Sequence, residues 1–319
     1  MAVTMTPLLQ QRILGASLAI LLAVGCALGL ADNARLFMLT LLNGTTLAAL
    51  YFLVASGFTL VFGLMRNVNL AHGSLYLLGA YIGYSVGNAS GSWLLAVLAG
   101  LLSSALAGLA MQLLIFRHME GEELRQTLVS IGLSIVIADI LLWVWGGDVY
   151  AFNAPDWMTG RMPMPFVNVY PTFRVLVLLS AVVIGLLLWA LLNRTRVGMM
   201  IRAGVDDRQM LSASGVNVHL VFAATFAIGA GLAGLGGVIG GTALSISPGE
   251  DVRYLLASLV VVIVGGIGSI SGAALGALLI GLAETFGLAY APTYGVVFTF
   301  ALLVAALAFR PEGIVGSKR

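Results

Sequence analysis

The chain has 319 residues, of which 60% are hydrophobic and only 9% are charged. A soluble domain has about a quarter of its residues charged, so this composition excludes a soluble protein and indicates a polytopic membrane protein. The net charge of +2 gives no indication of nucleic-acid binding, and the single cysteine excludes internal disulfides and cysteine-rich metal sites.

Ten stretches of the chain are long and apolar enough to span a membrane, which takes about 20 residues. They lie at about 12–31, 36–64, 70–88, 93–116, 127–146, 173–193, 219–246, 253–269, 270–290 and 293–310. The second is overlong and is expected to break near Gly57 or Gly63. The eighth and ninth share a glycine-rich junction and could be shorter, partly re-entrant segments, so eight spans are the alternative count. The predicted fold class is all-α, a single transmembrane helix bundle over residues 1–319.

Basic residues predict the orientation of this bundle, because they concentrate on the cytoplasmic side of membrane proteins. With ten spans and an inward N-terminus, the cytoplasmic side holds eleven of the 15 basic residues: Arg12, Arg66, Arg117, Arg125, Arg194, Arg196, Arg202, Arg208, Arg310, Lys318 and Arg319. The outer side holds Arg35, Arg161, Arg174 and Arg253. Both termini are therefore expected in the cytoplasm. Residues 12–31 resemble a signal peptide, but more membrane protein follows, so we expect a retained first span.

The longest cytoplasmic segment runs over residues 194–218 and mixes four arginines with two aspartates. Residues 198–214 are expected to form a short helix. Its apolar face would contain Met200, Ala203, Met210 and Leu211, and its charged rim Arg202, Asp206, Asp207 and Arg208. One interpretation is a solvated loop that follows the positive-inside rule. The other is a surface helix that engages a partner protein.

The longest outer loop, residues 147–172, is rich in proline and aromatic residues. Its prolines are Pro155, Pro163, Pro165 and Pro171, and its aromatic residues are Tyr150, Phe152, Trp157, Phe166 and Tyr170. Proline stiffens such a loop, and aromatic side chains favour the membrane–water interface. The loop is either an interfacial lid or part of a docking surface for an external protein.

An unusual polar cluster, Asn67-Val68-Asn69-Leu70-Ala71-His72-Gly73, lies between two of the predicted spans. Asparagine and histidine are costly at a membrane boundary unless they are hydrogen-bonded. One interpretation is that the asparagines cap the next helix while His72 pairs with backbone carbonyls. The other is that these residues line the inner end of a polar path.

Two carboxylates, Asp139 and Glu284, lie within apolar stretches and are candidates for a proton relay or for structural hydrogen bonds. The glycine-rich junction at Gly265, Gly266 and Gly268 lacks the lysine of a phosphate loop, so it indicates close packing or a broken helix. Three GxxxG pairs predict close helix contacts: Gly236 with Gly240, Gly237 with Gly241, and Gly272 with Gly276. The scattered histidines and the absence of catalytic motifs predict no catalytic residues and no metal site.

Taken together, these segments resemble the permease subunits of branched-chain amino acid ABC transporters, the LIV-H type permease family. The resemblance runs from Leu42 to Gly316. Its motifs are Leu42-Asn43-Gly44, Ala49-Leu50-Tyr51, Asn69-Leu70-Ala71-His72-Gly73, Leu78-Gly79-Ala80-Tyr81, Arg194-Thr195-Arg196-Val197-Gly198, Asp206-Asp207-Arg208, Gly265-Gly266-Ile267-Gly268-Ser269 and Arg310-Pro311-Glu312-Gly313-Ile314-Val315-Gly316. Ser74 departs from the pattern, because many relatives carry an acid there.

The resemblance implies a non-catalytic, multi-pass importer subunit of the bacterial inner membrane. It implies no cofactor in this chain, with ATP and Mg used by partner subunits. The implied partners are a second related permease subunit forming a heterodimer, two cytoplasmic ATPase subunits and a periplasmic substrate-binding protein, with membrane lipid around them and no nucleic acid. ATPase closure would act on the coupling segment, residues 194–218, to shift the permease between inward-facing and outward-facing states.

Eight residues are candidates for lining the translocation path or for holding its helices in place: Asn67, Asn69, His72, Gly73, Gly265, Gly266, Gly268 and Glu284. Polar or glycine-rich backbone is tolerated at membrane depth only where protein buries it or a cavity adjoins it. Branched-chain or related amino acids are the expected cargo. Substrates of this family also include urea and amides, so a urea or amide importer is an alternative. A secondary carrier, supported by Asp139 and Glu284, and a channel also stay open.

Overall fold

A computed structural model describes residues 7–65, 69–119, 121–164, 167–310 and 312–315, with the backbone alone described for 7–32 and a few later positions. The described residues form eleven α-helices and one small β-hairpin. The helices are α1 (Pro7–Met65), α2 (His72–Ser90), α3 (Trp93–Leu114), α4 (Glu123–Trp145), α5 (Thr172–Arg194), α6 (Arg196–Asp206), α7 (Arg208–Ala213), α8 (Val218–Leu244), α9 (Glu250–Gly265), α10 (Ile270–Tyr290) and α11 (Gly295–Phe309). The strands are β1 (Arg161–Met164) and β2 (Val167–Pro171).

Helix α1 contains one interruption, at Asn33, where φ is −150° and ψ is 87°. The Asn33 side chain accepts a hydrogen bond from the Leu36 backbone N–H at 3.0 Å and so begins the second half of the helix. The expected break near Gly57 or Gly63 was wrong, because the helix continues through both residues. Gly57 instead permits close packing: a Cβ there would lie 2.3 Å from the carbonyl oxygen of Gly229 in α8.

Within the described residues, six helices are long and apolar enough to cross a membrane: the Asn33–Gly63 part of α1, α3, α4, α5, α8 and α10. These six helices confirm the prediction of a helical membrane bundle. The stretches now seen as α2, α9 and α11, which the sequence also indicates as spans, fall outside this set of six.

The second half of α1 lies at the centre of the bundle. Other parts of the chain bury 83% of its most apolar window, compared with 11% for α4 and 17% for α5. Helices α8, α9 and α10 all pack against α1, and α2 packs against α3, α8 and α9. Since α4 and α5 expose most of their surface and are strongly apolar, they form the periphery, where lipid or another membrane subunit would cover them.

Glycines set the close contacts of this core, as the GxxxG pairs predict. A Cβ at Gly237 in α8 would lie 2.1 Å from the carbonyl oxygen of Tyr76 in α2. At Gly276 in α10 it would lie 2.4 Å from the carbonyl oxygen of Val261 in α9. Real Cβ atoms essentially never approach other atoms within 3.0 Å. These helix pairs therefore require the absence of a side chain, and the predicted close contacts at Gly237 and Gly276 are confirmed.

The outer loop carries the β1–β2 hairpin and is attached to the helices at both ends. Tyr150 forms an isolated β-bridge with Ile246, in the connection between α8 and α9. At the other end the buried Tyr170 hydroxyl lies 3.0 Å from Thr46 Oγ1 and donates a 3.2 Å hydrogen bond to Asn43 Oδ1. The loop is therefore held to the connection between α8 and α9 at one end and to the Asn43–Thr46 part of α1 at the other.

Candidate functional site

The predicted polar cluster lies inside the bundle, where α2 begins. His72 is fully buried, and its Nε2 lies 3.0 Å from the carbonyl oxygen of Val54 in α1. Val54 lies about three helical turns before the end of α1 at Met65, so α2 begins within the bundle and not at its surface. Asn69 is 5% exposed, and its Oδ1 accepts a 3.1 Å hydrogen bond from the Ala71 backbone N–H. Asn67, also a candidate, lies outside the described residues.

Two nitrogen atoms of this cluster are buried without a hydrogen-bond partner among the residues that the structure describes. They are Nδ2 of Asn69 and Nδ1 of His72. Leaving a polar group unpaired in the interior costs about 1–3 kcal/mol. A water molecule or a polar solute that reached these atoms would recover part of that free energy. Asn69 and His72 therefore each place an unsatisfied nitrogen atom in the interior of the bundle.

Helix α9 supplies an acid next to Ser74, the position where the sequence departs from the family pattern. Asp251 is 6% exposed, and its Oδ2 lies 3.5 Å from Ser74 Oγ. Ser74 Oγ also lies 2.8 Å from Ser134 Oγ in α4. The contact depends on Gly73, because a Cβ there would lie 2.0 Å from the Asp251 carbonyl oxygen. Gly73, another predicted candidate, therefore holds the beginnings of α2 and α9 together.

Glu284, the predicted carboxylate in α10, belongs to a group of charged and aromatic side chains that we call the tyrosine–arginine cluster: Tyr51, Tyr76, Arg253, Tyr254 and Glu284. The Tyr51 hydroxyl donates a 2.6 Å hydrogen bond to Glu284 Oε2, and Arg253 lies 3.4 Å from Glu284 Oε1. The Tyr76 and Tyr254 rings are stacked with centroids 4.0 Å apart, and the Tyr51 ring meets Tyr254 edge-on at 5.9 Å. Four helices thus bring an anion, a cation and three rings together.

Small residues explain how these side chains meet. A Cβ at Gly281 in α10 would lie 2.6 Å from the backbone nitrogen of Ala48 in α1, which places Tyr51 and Glu284 on adjoining turns. Helices α9 and α10 touch at Gly265 and Gly272, where a Cβ on Gly265 would lie 2.1 Å from the Gly272 carbonyl oxygen. Close backbone approach of this kind is how membrane helices pack in the absence of a hydrophobic driving force.

The glycine-rich junction is both closely packed and a helix break, as the sequence indicates. Helix α9 ends at Gly265, and Gly266 and Gly268 follow with φ of 110° and 77°, values that favour glycine. Ser269 then caps α10, since its Oγ accepts a 3.0 Å hydrogen bond from the Gly272 backbone N–H. A Cβ at Gly63 would lie 2.9 Å from the Gly268 Cα, so the end of α1 rests against the junction.

The C-terminal motif completes this junction. The backbone N–H groups of Ile314 and Val315 donate to the carbonyl oxygens of Val264 and Gly265, at 2.9 Å and 3.0 Å. Those carbonyls lie at the end of α9, where a helix leaves its last acceptors unpaired. The motif around Gly313 therefore serves the fold by pairing the last carbonyl groups of α9.

The segment over residues 194–218 does not form the single helix expected over 198–214, so that prediction was wrong. Asp207 has φ of −151° and ψ of 104°, which ends α6 and begins α7. Its Oδ1 accepts hydrogen bonds from the Gln209 and Met210 backbone N–H groups at 2.9 Å and 3.0 Å. Aspartate is a strong N-cap because its side chain satisfies these donors. Asp207, proposed from the sequence as part of a charged rim, therefore divides the segment in two.

The proposed apolar anchors of this segment do not share one face. Ile201, which the sequence analysis did not select, is 5% exposed and packs with Phe222 of α8, and Met200 packs against the same group. Leu211 is 7% exposed. These three residues hold α6 and α7 to the rest of the chain.

The outward side of the segment carries a second set of apolar residues. Met210 is 70% exposed and Met199 is 55% exposed, and Ala203 is also exposed. Of the proposed charged residues, Arg202 is exposed and donates to Asn193, while the Arg208 guanidinium lies 4.4 Å from the centroid of the Phe222 ring. Asp206 is described by its backbone only.

The helix arrangement and the motifs can now be compared with known proteins. Residues 40–307 match the family model described as the permease component of branched-chain amino acid transport systems. The chain belongs to this family. The match covers the described helices from the middle of α1 to α11, so it includes the polar cluster, the tyrosine–arginine cluster and the segment over residues 194–218.

Individual relatives agree with the family match. The permease is 31% identical over 296 residues to the high-affinity branched-chain amino acid transport system permease protein BraD of Pseudomonas aeruginosa, covering 88% of this chain and 96% of the relative. It is 32% identical over 297 residues to LivH of Salmonella typhimurium and 31% identical over 297 residues to LivH of Escherichia coli K12, each with the same coverage. No solved structure matches the chain significantly.

These comparisons confirm the resemblance to branched-chain amino acid permeases and the interpretation of the chain as the permease subunit of an ABC importer. The relatives are transport permease subunits, which agrees with a non-catalytic role, and together with the six apolar helices they indicate a multi-pass membrane protein. The matches do not support the urea importer, carrier or channel alternatives.

Most of the tyrosine–arginine cluster cannot be recognised from the sequence. Glu284 stands out as an acid in an apolar stretch, but Arg253 follows a connection and looks like an ordinary charge of an outer loop. Tyr51 lies in a family motif and Tyr76 lies between two of them. Nothing else in the sequence marks these tyrosines as functional candidates. Their convergence depends on glycine contacts between helices far apart in sequence.

Proposed function

We propose that the permease forms the membrane pathway of an ABC importer that moves branched-chain amino acids into the cytoplasm. The observation that carries this proposal is the family match over residues 40–307. Relatives that are 31–32% identical over almost their whole length are named as high-affinity branched-chain amino acid permeases, which supports the same substrate class here.

We place both termini and the coupling segment in the cytoplasm of a bacterium, with ten helices in the inner membrane. The concentration of eleven of the 15 basic residues on that side supports this orientation. Helices α2 and α9 begin within the bundle, next to each other at Gly73 and Asp251. A helix that protein surrounds need not match the bilayer thickness, so these shorter helices are compatible with the ten-helix arrangement.

The path is assigned to the region between the beginning of α2 and the glycine-rich junction. The unpaired nitrogen atoms of Asn69 and His72 support the assignment, because they offer hydrogen bonds that the described residues do not satisfy. Gly73, Gly265, Gly266 and Gly268 would act as packing residues that keep the surrounding helices close. Asn67, which precedes Asn69 by two residues in the sequence, is proposed as a further pathway residue on its sequence position alone.

The permease requires partners, because no phosphate-binding motif occurs in its sequence. We expect a second, related permease subunit, two cytoplasmic ATPase subunits that use ATP and Mg, and a periplasmic binding protein that delivers the amino acid. The strongly exposed apolar surfaces of α4 and α5 leave room for a second membrane subunit and for lipid.

Energy would reach the permease through α6 and α7. In place of the four anchors expected from the sequence, the exposed Met199, Ala203 and Met210 would be the anchors in an ATPase groove, with Arg202 at the rim. The inward-facing Met200 and Ile201, together with Arg208 over Phe222, connect these helices to α8. Since α8 packs against α1, α2 and α3, a displacement of α6 and α7 would reach the core of the bundle.

The experiment that tests the function is uptake of radiolabelled leucine by vesicles containing the permease, its partner permease, both ATPases and the binding protein. An importer accumulates leucine against its gradient only when ATP is supplied. Accumulation driven by a proton or sodium gradient without ATP would identify a carrier, and purely downhill flux would identify a channel.

A further inference from the structure

The tyrosine–arginine cluster contains an ion pair that is only loosely made. Arg253 lies 3.4 Å from Glu284 and 3.6 Å from Glu250, whereas charge-assisted N–H···O hydrogen bonds are about 2.7–2.9 Å long. The Arg253 side chain is 45% exposed and that of Glu284 is 17% exposed. The two opposite charges therefore remain accessible and are not sealed in the core.

The group on one side of this pair is aromatic and fully enclosed. Tyr51, Tyr76 and Tyr254 are each 1–2% exposed, and their rings form a continuous set of contacts. The Tyr51 hydroxyl fixes the Glu284 carboxylate at 2.6 Å through Oε2, which leaves Oε1 with the long contact to Arg253. One carboxylate oxygen is held in place, and the other is available.

We propose that Arg253 and Glu284 form a recognition site for the zwitterionic head of a free amino acid, with Arg253 binding the α-carboxylate and Glu284 binding the α-ammonium group. The aliphatic side chain would lie beside the ion pair, in the neighbourhood of the buried tyrosine rings. This inference rests on the proposed function, since it assigns a site to the substrate class of that function.

Binding of the amino acid would exchange the contact between Arg253 and Glu284 for two contacts with the substrate, and the net charge of the site would not change. Arg253 and Glu284 give up a long mutual contact, and each gains a group of opposite charge, so the total charge of the site is unchanged. Guanidinium groups bind carboxylates through two parallel hydrogen bonds, a geometry that the present 3.4 Å contact does not use. A substrate carrying only one of the two charges would leave either Arg253 or Glu284 without its partner, which costs free energy in a partly buried site.

The position of the tyrosine–arginine cluster in the fold agrees with a role in substrate recognition. Glu250, Asp251 and Arg253 lie in the first turn of α9, which follows the connection that Tyr150 joins to the outer loop. His72, with its unpaired Nδ1, begins α2 beside this turn, where Gly73 touches the Asp251 backbone. The tyrosine–arginine cluster and the polar cluster are thus consecutive polar regions of one bundle.

The test uses a diazirine analogue of leucine that retains both charged groups. The complete transporter in vesicles is supplied with the binding protein loaded with this analogue, illuminated, and mapped by mass spectrometry. Labelling of peptides that carry Tyr51, Tyr76 or Tyr254 is expected in the wild-type permease. Glu284→Gln and Arg253→Gln should each reduce it by about tenfold or more, given the usual strength of hydrogen bonds to charged groups. Arg35→Gln, which removes an exposed arginine of α1 outside the outer loop, is the matched control and should leave the labelling unchanged.

Absence of label from all three tyrosine peptides in a wild-type transporter that takes up leucine would overturn the site while leaving the proposed function intact. Labelling that Glu284→Gln and Arg253→Gln do not reduce would also overturn it, because the ion pair would then be structural only. If a variant fails to assemble with its partners, the positions labelled in the wild-type transporter test the proposed site on their own. Failure of the proposed function is seen separately, as a lack of ATP-dependent leucine uptake by the wild type.

Discussion

The close contact between α9 and α10 at Gly276 allows a quantitative prediction of the stability change caused by a substitution. A Cβ at this position would lie 2.4 Å from the Val261 carbonyl oxygen and 3.1 Å from the Gly265 backbone nitrogen. Both obstacles are backbone atoms, so no side chain can rotate away to make room. The Gly276→Ala variant must therefore separate the two helices or lose stability, and overpacking of a tight contact costs about 1–3 kcal/mol.

Gly132 provides the matched control for this substitution. It lies in the middle of α4, and a Cβ there would meet nothing within 4 Å. Alanine favours a helix interior by up to about 1 kcal/mol over glycine, and this gain applies to both variants. The difference between Gly276→Ala and Gly132→Ala therefore isolates the packing cost, about 1–3 kcal/mol, which is roughly 5- to 150-fold in the unfolding equilibrium.

The measurement is reversible denaturation of the purified permease in mixed micelles, followed by tryptophan fluorescence. Gly132→Ala should unfold at or above the wild-type midpoint and Gly276→Ala clearly below it. Equal midpoints for the two variants would refute the argument that glycine contacts hold α9 against α10. Leucine uptake should fall in Gly276→Ala as well, because the same contact positions Arg253 beside Glu284.

Three further outcomes are expected. In a Cys26→Ser background, an impermeant thiol reagent should reach a cysteine at position 157 (Trp157→Cys) from outside the cell but not one at position 202 (Arg202→Cys), and the reverse pattern would invert the topology. Gly268→Leu should block uptake while partner assembly persists, because φ of 77° strains any side chain there, and normal uptake would remove this residue from the pathway. Tyr170→Phe should loosen the outer hairpin by about 0.5–2 kcal/mol, visible as faster proteolysis of the loop, and unchanged proteolysis would show that its hydroxyl contacts are dispensable.

The sequence predicts the order of the helices well. The apolar stretches at 93–116, 127–146, 173–193 and 270–290 differ by only a few residues from α3, α4, α5 and α10. These boundaries are visible because a span requires an apolar run and ends at polar residues. Helix contacts at GxxxG pairs are visible for a related reason, since glycine in a membrane helix generally serves close packing.

Other features depend on tertiary contacts that a linear pattern does not contain. The break in α1 lies at Asn33 and not at Gly57 or Gly63, because an asparagine with a free acceptor can begin a helix while a packed glycine need not end one. Asp207 looks like a rim charge, but its side chain caps α7. The membership of Arg253 in a site with Glu284 appears only when α9 and α10 are packed against α1.

We propose that the permease draws its energy from separate ATPase subunits through α6 and α7. The direct test is the amount of leucine taken up per ATP hydrolysed in vesicles containing a Met210→Glu permease, because Met210 is the most exposed of the proposed anchors. Asp207→Arg is a less clear choice, since it would also remove the N-cap of α7. Met162→Glu, at an exposed methionine of the outer hairpin, is the matched control.

We expect Met210→Glu to release the ATPases on purification or to lower the ratio of uptake to hydrolysis several-fold, while Met162→Glu should retain the wild-type ratio. Wild-type ATPase co-purification together with a wild-type ratio in Met210→Glu would contradict the claim that this exposed face receives the work of ATP hydrolysis.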